Sequence, residues 1–207
     1  MSRLVDPYNP ISPPLLVVIS GPSGAGKDVT LKRMQEMGYP FHFVVTTTDR
    51  PPRPGEVDGV DYFFVSTAEF ERMIEADELL EHAVVYGQHK GVSRVQLRRA
   101  LESGQDVIMR LDVQGAATIR QLVPDAVLIF LTTESEEALI SRLAARRTES
   151  EAALRRRVEI ARQEMERINE FDYLVVNRDG ALDETVKTIA AIITAEKCRV
   201  WKREISL

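Results

Sequence analysis

One cysteine in 207 residues, Cys198, leaves no intrachain disulfide to staple a fold, and suits a reducing compartment such as the cytoplasm. No apolar run is long enough to span a bilayer, so no membrane partner is expected. Positive charge is not in excess. Lysines and arginines number 27 against 32 aspartates and glutamates, a net charge of -5. That argues against general adhesion to nucleic acid or anionic membranes. Internal repeats and low-complexity segments are absent. The opening stretch MSRLVDPYNPISPP has no continuous apolar core, so residues 1–14 read as a flexible arm rather than a signal peptide. What remains is ordinary for a soluble globular chain: 44% hydrophobic and 29% charged, at a length suited to one sizeable domain.

Apolar runs ending at glycine or polar residues mark buried strands. LLVVIS (15–20), FHFVV (41–45), DVIMRLDV (106–113), AVLIFLTT (126–133) and DYLVVN (172–177) fit, with shorter strands at YFFV (62–65) and LLEHAVVY (79–86). Helices are expected over 27–37, from Ser66 to Ile74, from Ser93 to Gly104, from about Gly115, after Thr133, over 151–169 and over 180–200. Ser66 with Glu69, Ser93 with Gln96 and Thr133 with Glu136 have capping-box spacing. Strands alternating with helices indicate βαβ units and a parallel sheet. Residues 46–92 break that rhythm and read as an insertion, and 46–62 as an irregular loop.

Residues 21–30, GPSGAGKDVT, nearly match the phosphate-binding pattern G-x-x-x-x-G-K-[ST]. A buried strand before and a helix after supply the expected context. Gly21, Pro22, Ser23, Gly24, Ala25 and Gly26 would present backbone N–H groups to nucleotide phosphates, and Lys27 would reach the β- and γ-phosphates. Asp28 stands where a hydroxyl residue is expected.

Four further stretches accompany the loop. They are Arg50-Pro-Pro-Arg53-Pro-Gly-Glu56-Val-Asp-Gly59-Val-Asp-Tyr62, Leu111-Asp112-Val-Gln-Gly115, Arg146-Arg-Thr-Glu-Ser150 with Arg157 beyond it, and Phe171-Asp-Tyr-Leu-Val-Val-Asn177. In this order, from about Leu15 to the last helix, the chain resembles guanylate kinase, the P-loop nucleoside monophosphate kinase that phosphorylates GMP with ATP. The resemblance implies a three-layer α/β core with a parallel sheet (15–45, 93–141 and 158–207), a small GMP-binding subdomain (46–92) and a helical lid (142–157). It implies ATP and GMP (or dGMP) as small-molecule substrates and Mg2+ as cofactor. Whether the chain is a monomer or a homo-oligomer stays open.

Roles follow residue by residue. Arg50 and Arg53 match the arginines that hold the GMP phosphate, with Tyr62 as hydroxyl donor and Glu56 supporting their loop. Guanidinium forks suit that bidentate task. Glu81 and Asp112 match the carboxylates that accept from N1 and N2 of guanine, and Thr46 the hydroxyl beside the base. Arg146 and Arg157 match lid arginines that stabilise the transferring phosphoryl group. Their neighbours Arg142, Arg147, Arg155 and Arg156 read as a solvated helix face. Asn177 matches a contact to the adenine of ATP, or else simply ends its strand. The acceptor is already anionic, so the chemistry needs positioning and neutralisation, with no general base.

The chain departs from the family at Asp28, at Arg110 (usually acidic), at Lys90 (usually tyrosine) and at Val92 (usually small and polar), with Ser93 nearby as a compensating hydroxyl. A linked exchange is expected: Asp28 binds magnesium, directly or through water, and Arg110 pairs with Asp28 or a phosphate. The alternative is that Asp28 only caps its helix and Arg110 turns outward. Two other functions fit parts of the pattern. One is ribose 1,5-bisphosphate phosphokinase, whose loop lysine is also followed by aspartate. The other is a non-catalytic guanylate-kinase-like binding module.

Overall fold

The computed structural model describes residues 8, 12–85, 87–145 and 151–206. Its main sheet is built around β1 (Leu16–Ser20), whose five residues are all buried. β7 (Asp106–Arg110) and β8 (Val127–Thr132) flank β1, and β2 (Phe41–Phe43) and β9 (Tyr173–Val176) take the edges. The order is β2-β7-β1-β8-β9, every pair parallel.

Successive β1 residues point to opposite faces, so one strand feeds two cores. Leu16 and Val18 pack with Leu97 and Ala100 of α3 (Arg94–Glu102) and Ala116 and Ile119 of α4 (Val113–Leu122). Val17 and Ile19 pack with Leu31 and Met34 of α1 (Lys27–Glu36) and Val186, Ile189 and Ile193 of α7 (Leu182–Lys197). The result is a three-layer α/β fold with helices on both faces of a parallel sheet.

A second sheet forms between β2 and α3. Its order is β4-β3-β6-β5, from β3 (Thr47–Thr48), β4 (Phe63–Phe64), β5 (Leu79–Val85) and β6 (Gln88–Ser93). α2 (Thr67–Glu75) lies beside it, and the Ser66 hydroxyl accepts from the Glu69 N–H as the capping pattern requires. α5 (Glu136–Ala144) and α6 (Glu151–Glu166) pack on each other through Leu139, Leu143 and Ala161, and a short 3-10 turn (Arg167–Glu170) continues α6.

Several local expectations are corrected. The 46–62 stretch is not wholly irregular, since Thr47 and Thr48 pair with Phe63, Phe64, Gly91 and Lys90. β6 was unexpected, because Gln, His, Lys and Gly are weak strand formers. Gly91 is there for close approach: a Cβ on it would lie 2.9 Å from the Glu81 carbonyl oxygen and 3.1 Å from the Phe70 ring. Ser93 occupies the N-cap position of α3 without a side-chain bond. α5 is capped by Ser135, which accepts from the Ala138 N–H, because the Thr133 hydroxyl donates instead to the Ser135 carbonyl. β7 stops at Arg110, since Asp112 caps α4 by accepting from the N–H groups of Gln114 and Gly115.

Candidate active site

The loop after β1 closes tightly on β8. A Cβ on Gly21, at φ 132°, would lie 2.0 Å from the Leu131 carbonyl oxygen, so only glycine fits there. Lys27 folds back over the loop, its ammonium donating to the carbonyls of Gly21 (2.6 Å) and Pro22 (3.0 Å). Burial lowers the pKa of that ammonium, and Glu164, Asp28 and Asp112 oppose the shift.

The loop opens on a cleft of about 890 Å³ between the main sheet, the second sheet and α6. Ser23, Gly24, Gly26, Lys27 and Asp28 of the loop and α1 line it, together with Thr46, Arg50, Arg53, Tyr62, Glu81 and Asp112. Arg157 borders the cleft from α6 and donates to the Ser23 hydroxyl at 3.3 Å. Arg146 lies outside the described residues.

Glu81 is 2% exposed, and its Oε2 has no hydrogen-bond partner among the described residues. Burial, then the Asp112 carboxylate, push its pKa up to about 8, against the pull of Lys90. Gly115 makes room for it, since a Cβ there would sit 2.5 Å from Glu81 Oε1. A buried carboxylate with an open acceptor atom facing a cleft is a receptor for N–H donors.

Arg50 is also buried, and Glu56 grips it with two hydrogen bonds of 2.6 Å. Glu56 takes the Arg53 N–H as well, at 2.7 Å, so it braces the arginine loop from behind and does not line the cleft. The Tyr62 ring lies 4.7 Å from the Arg50 guanidinium carbon and 4.6 Å from that of Arg110. Arg110 does pair with Asp28, at 2.5 Å, and it reaches the Asp61 carbonyl at 3.3 Å. It thereby links α1, β7 and the arginine loop.

Three expectations change. Asn177 does not face the cleft. Its amide donates to the Ala25 carbonyl at 2.9 Å and accepts from the Thr185 hydroxyl at 3.2 Å, which ties the phosphate loop to α7. Arg142 is not on a solvated face, since it pairs with Asp179 and donates to the Asn177 carbonyl. Arg156 lines the cleft, whereas Arg155 is exposed and pairs with Glu151. One residue was missed. Glu164, 8% exposed, accepts from the Ser23 N–H at 3.2 Å, and burial raises its pKa. It lies two helical turns beyond Arg157, on the same face, and that spacing was its available signal.

Comparison with known proteins identifies the family. The family model described as Guanylate kinase matches residues 14–196. Guanylate kinase 2, chloroplastic/mitochondrial, of Oryza sativa subsp. japonica is 50% identical over 98% of this chain and 71% of its own length. The guanylate kinase of Caldanaerobacter subterraneus subsp. tengcongensis is 44% identical over 90% of this chain and 89% of its own. Among solved structures, guanylate kinase from Anaplasma phagocytophilum superposes with a TM-score of 0.75 at 28% identity, covering 91% of this chain and 88% of that one.

Proposed function

The chain belongs to the guanylate kinase family, and on that premise we propose that it transfers a phosphoryl group from ATP to GMP, by the following assignment of residues. The observation that carries the assignment is a single cleft in which a glycine-built phosphate loop faces a buried, unsatisfied carboxylate, Glu81. The loop and Lys27 hold the donor phosphates. Glu81 and Asp112 accept from guanine N1 and N2, and Thr46 adds a hydroxyl at that wall. Arg50, Arg53 and Tyr62 hold the acceptor phosphate. Arg157, with Arg146, neutralises the group in flight. dGMP is accepted as well, since no residue in this assignment uses the ribose 2′-hydroxyl.

Magnesium is part of this reading. Asp28 is half-exposed in the first turn of α1, and one of its oxygens is tied to Arg110. Among the described residues no cluster of three or more His, Cys, Asp or Glu side chains could cage a metal. A single carboxylate beside substrate phosphates fits magnesium's habit of keeping water and phosphate ligands. When bound, the ion neutralises phosphate charge. Cytoplasmic residence completes the reading and is supported by the lone cysteine; the rice relative's name is organellar. No helix among the described residues is long and apolar enough to cross a membrane.

Neither a ribose 1,5-bisphosphate phosphokinase nor a non-catalytic binding module is favoured, because relatives at 44–50% identity carry the guanylate kinase name. The test is ADP production from ATP with GMP, dGMP, AMP, UMP and ribose 1,5-bisphosphate in parallel. GMP and dGMP are expected to turn over and AMP not. Equal rates with AMP and GMP would overturn the assignment of Glu81.

A further inference from the structure

One buried carboxylate in the cleft has no part in the assignment above. Glu164 sits on α6 and lines the cleft together with Ser23 and Lys27. Arg157, Ala161 and Glu164 follow at steps of four and three residues, so they share one face of the helix. That face is laid on the phosphate loop. Ala161 packs with Leu139 and Leu143 of α5, and a Cβ on Gly24 would lie 3.0 and 3.2 Å from those two leucines. Ser23 is gripped twice: its hydroxyl accepts from Arg157 and its N–H donates to Glu164.

The second of these bonds sets up a conflict. Ser23 belongs to the loop whose N–H groups serve the donor's phosphates. One of those N–H groups is already taken by a carboxylate, itself an anion. Lys27 is the cation that acts most strongly on Glu164, yet its ammonium donates to the carbonyls of Gly21 and Pro22. A phosphate that enters the loop therefore meets a negative charge already in place.

We propose that Glu164 is the phosphate loop's resident anion and sets its entry threshold: in the empty chain its carboxylate holds the Ser23 N–H, and donor phosphates bind by displacing it. This rests on the kinase reading above. Every phosphate ligand meets the same penalty. ATP offsets it with the contacts of its nucleoside, whereas inorganic pyrophosphate has none to offer and is turned away. Because Glu164 and Arg157 share a face of α6, displacing the carboxylate also shifts the surface from which Arg157 reaches the transferring group.

The test separates charge from packing. ATP, inorganic pyrophosphate and adenosine are titrated calorimetrically into wild-type, Glu164→Gln and Glu164→Asp chains, with GDP formation from GMP and ATP followed alongside. A pH of about 8 favours the ionised carboxylate. In Glu164→Gln the amide oxygen still accepts the Ser23 N–H, so the contact stays and the charge goes. ATP and pyrophosphate are expected to bind about tenfold tighter, the effect of removing one nearby like charge, with adenosine within about twofold. Glu164→Asp keeps the charge and should stay within about threefold of the wild type for all three ligands. A gain in affinity is a result that damaged packing does not produce. Unchanged or weaker binding of ATP and pyrophosphate by Glu164→Gln would overturn the inference and leave Glu164 as a brace for α6. Equal tightening of adenosine would overturn it too, since charge would not be the cause. Should Glu164→Gln fail to fold, Glu164→Asn repeats the comparison. A wild-type chain that forms no GDP would sink the kinase reading instead, while GDP formation with an indifferent Glu164→Gln sinks this inference alone.

Discussion

The two walls of the cleft are made differently. The donor wall is backbone: a glycine loop wedged against β8, with Lys27 resting on loop carbonyls and Asn177 bolting Ala25 to α7. The acceptor wall is side chains carried by a small sheet, two of whose strands are only two residues long. One of its functional groups is left in tension, since Glu81 is buried with Oε2 unsatisfied among the described residues. A backbone site is already complete, so it tolerates little addition. A site of unsatisfied side chains is completed by its ligand, so it discriminates and can be tuned one residue at a time.

That contrast can be broken most severely at Gly21. Gly21→Ala forces a Cβ to 2.0 Å from the Leu131 carbonyl at a φ that alanine avoids. A loss of about 3 kcal/mol or more of folding stability is expected, with ATP binding abolished. Urea denaturation and nucleotide titration read both effects. Near-native stability would mean that the loop is slack, and the contrast would fail.

The acceptor wall should respond selectively. Glu81→Gln turns an N–H toward guanine's own donors. It should lower kcat/KM for GMP by about a hundredfold or more, leave KM for ATP within about threefold, and leave the melting temperature no lower. Relief of a buried, unsatisfied carboxylate predicts that stability result. Parallel losses for both substrates would place Glu81 in the frame of the fold instead.

The smallest effect is at the seam between the walls. Asp28 and Arg110 form an ion pair joining α1 to β7. Arg110→Asp should damage turnover by crowding two acids together, and Asp28→Ser should partly restore it in the double variant. A coupling of about 1–2 kcal/mol in the double-mutant cycle is expected, read from kcat/KM. Strict additivity would separate the two substitutions.

The same contrast decides what could be read from the sequence. Glycine spacing encodes backbone geometry directly, so the phosphate loop, β1 and α1 were legible at once. Arg50, Tyr62, Glu81 and Asp112 were legible through the resemblance, and the structure brings all four to one cleft. β6 was not legible, since its Gly91 answers to the approach of Phe70 and the Glu81 carbonyl across the sheet. The bonds of Asn177 to Ala25 and Thr185 were not legible, because strand position does not say which way an amide turns. Glu164 had only its helical spacing from Arg157 to point to it, because its partner, Ser23, is 141 residues away.

The central claim is that Glu81 awaits guanine's N–H groups as a carboxyl group that burial keeps protonated, its pKa raised to about 8, and that guanine binds its ionised form. Below that value the free site holds a proton that guanine must displace, so GMP affinity falls as pH drops. The direct measurement is calorimetric titration of GMP at pH 7 in buffers of different ionisation enthalpy, on wild-type and Glu81→Gln chains. The account predicts release of about one proton per GMP bound in the wild type and almost none in the variant. Proton release that is absent from the wild type, or that survives in Glu81→Gln, would contradict it.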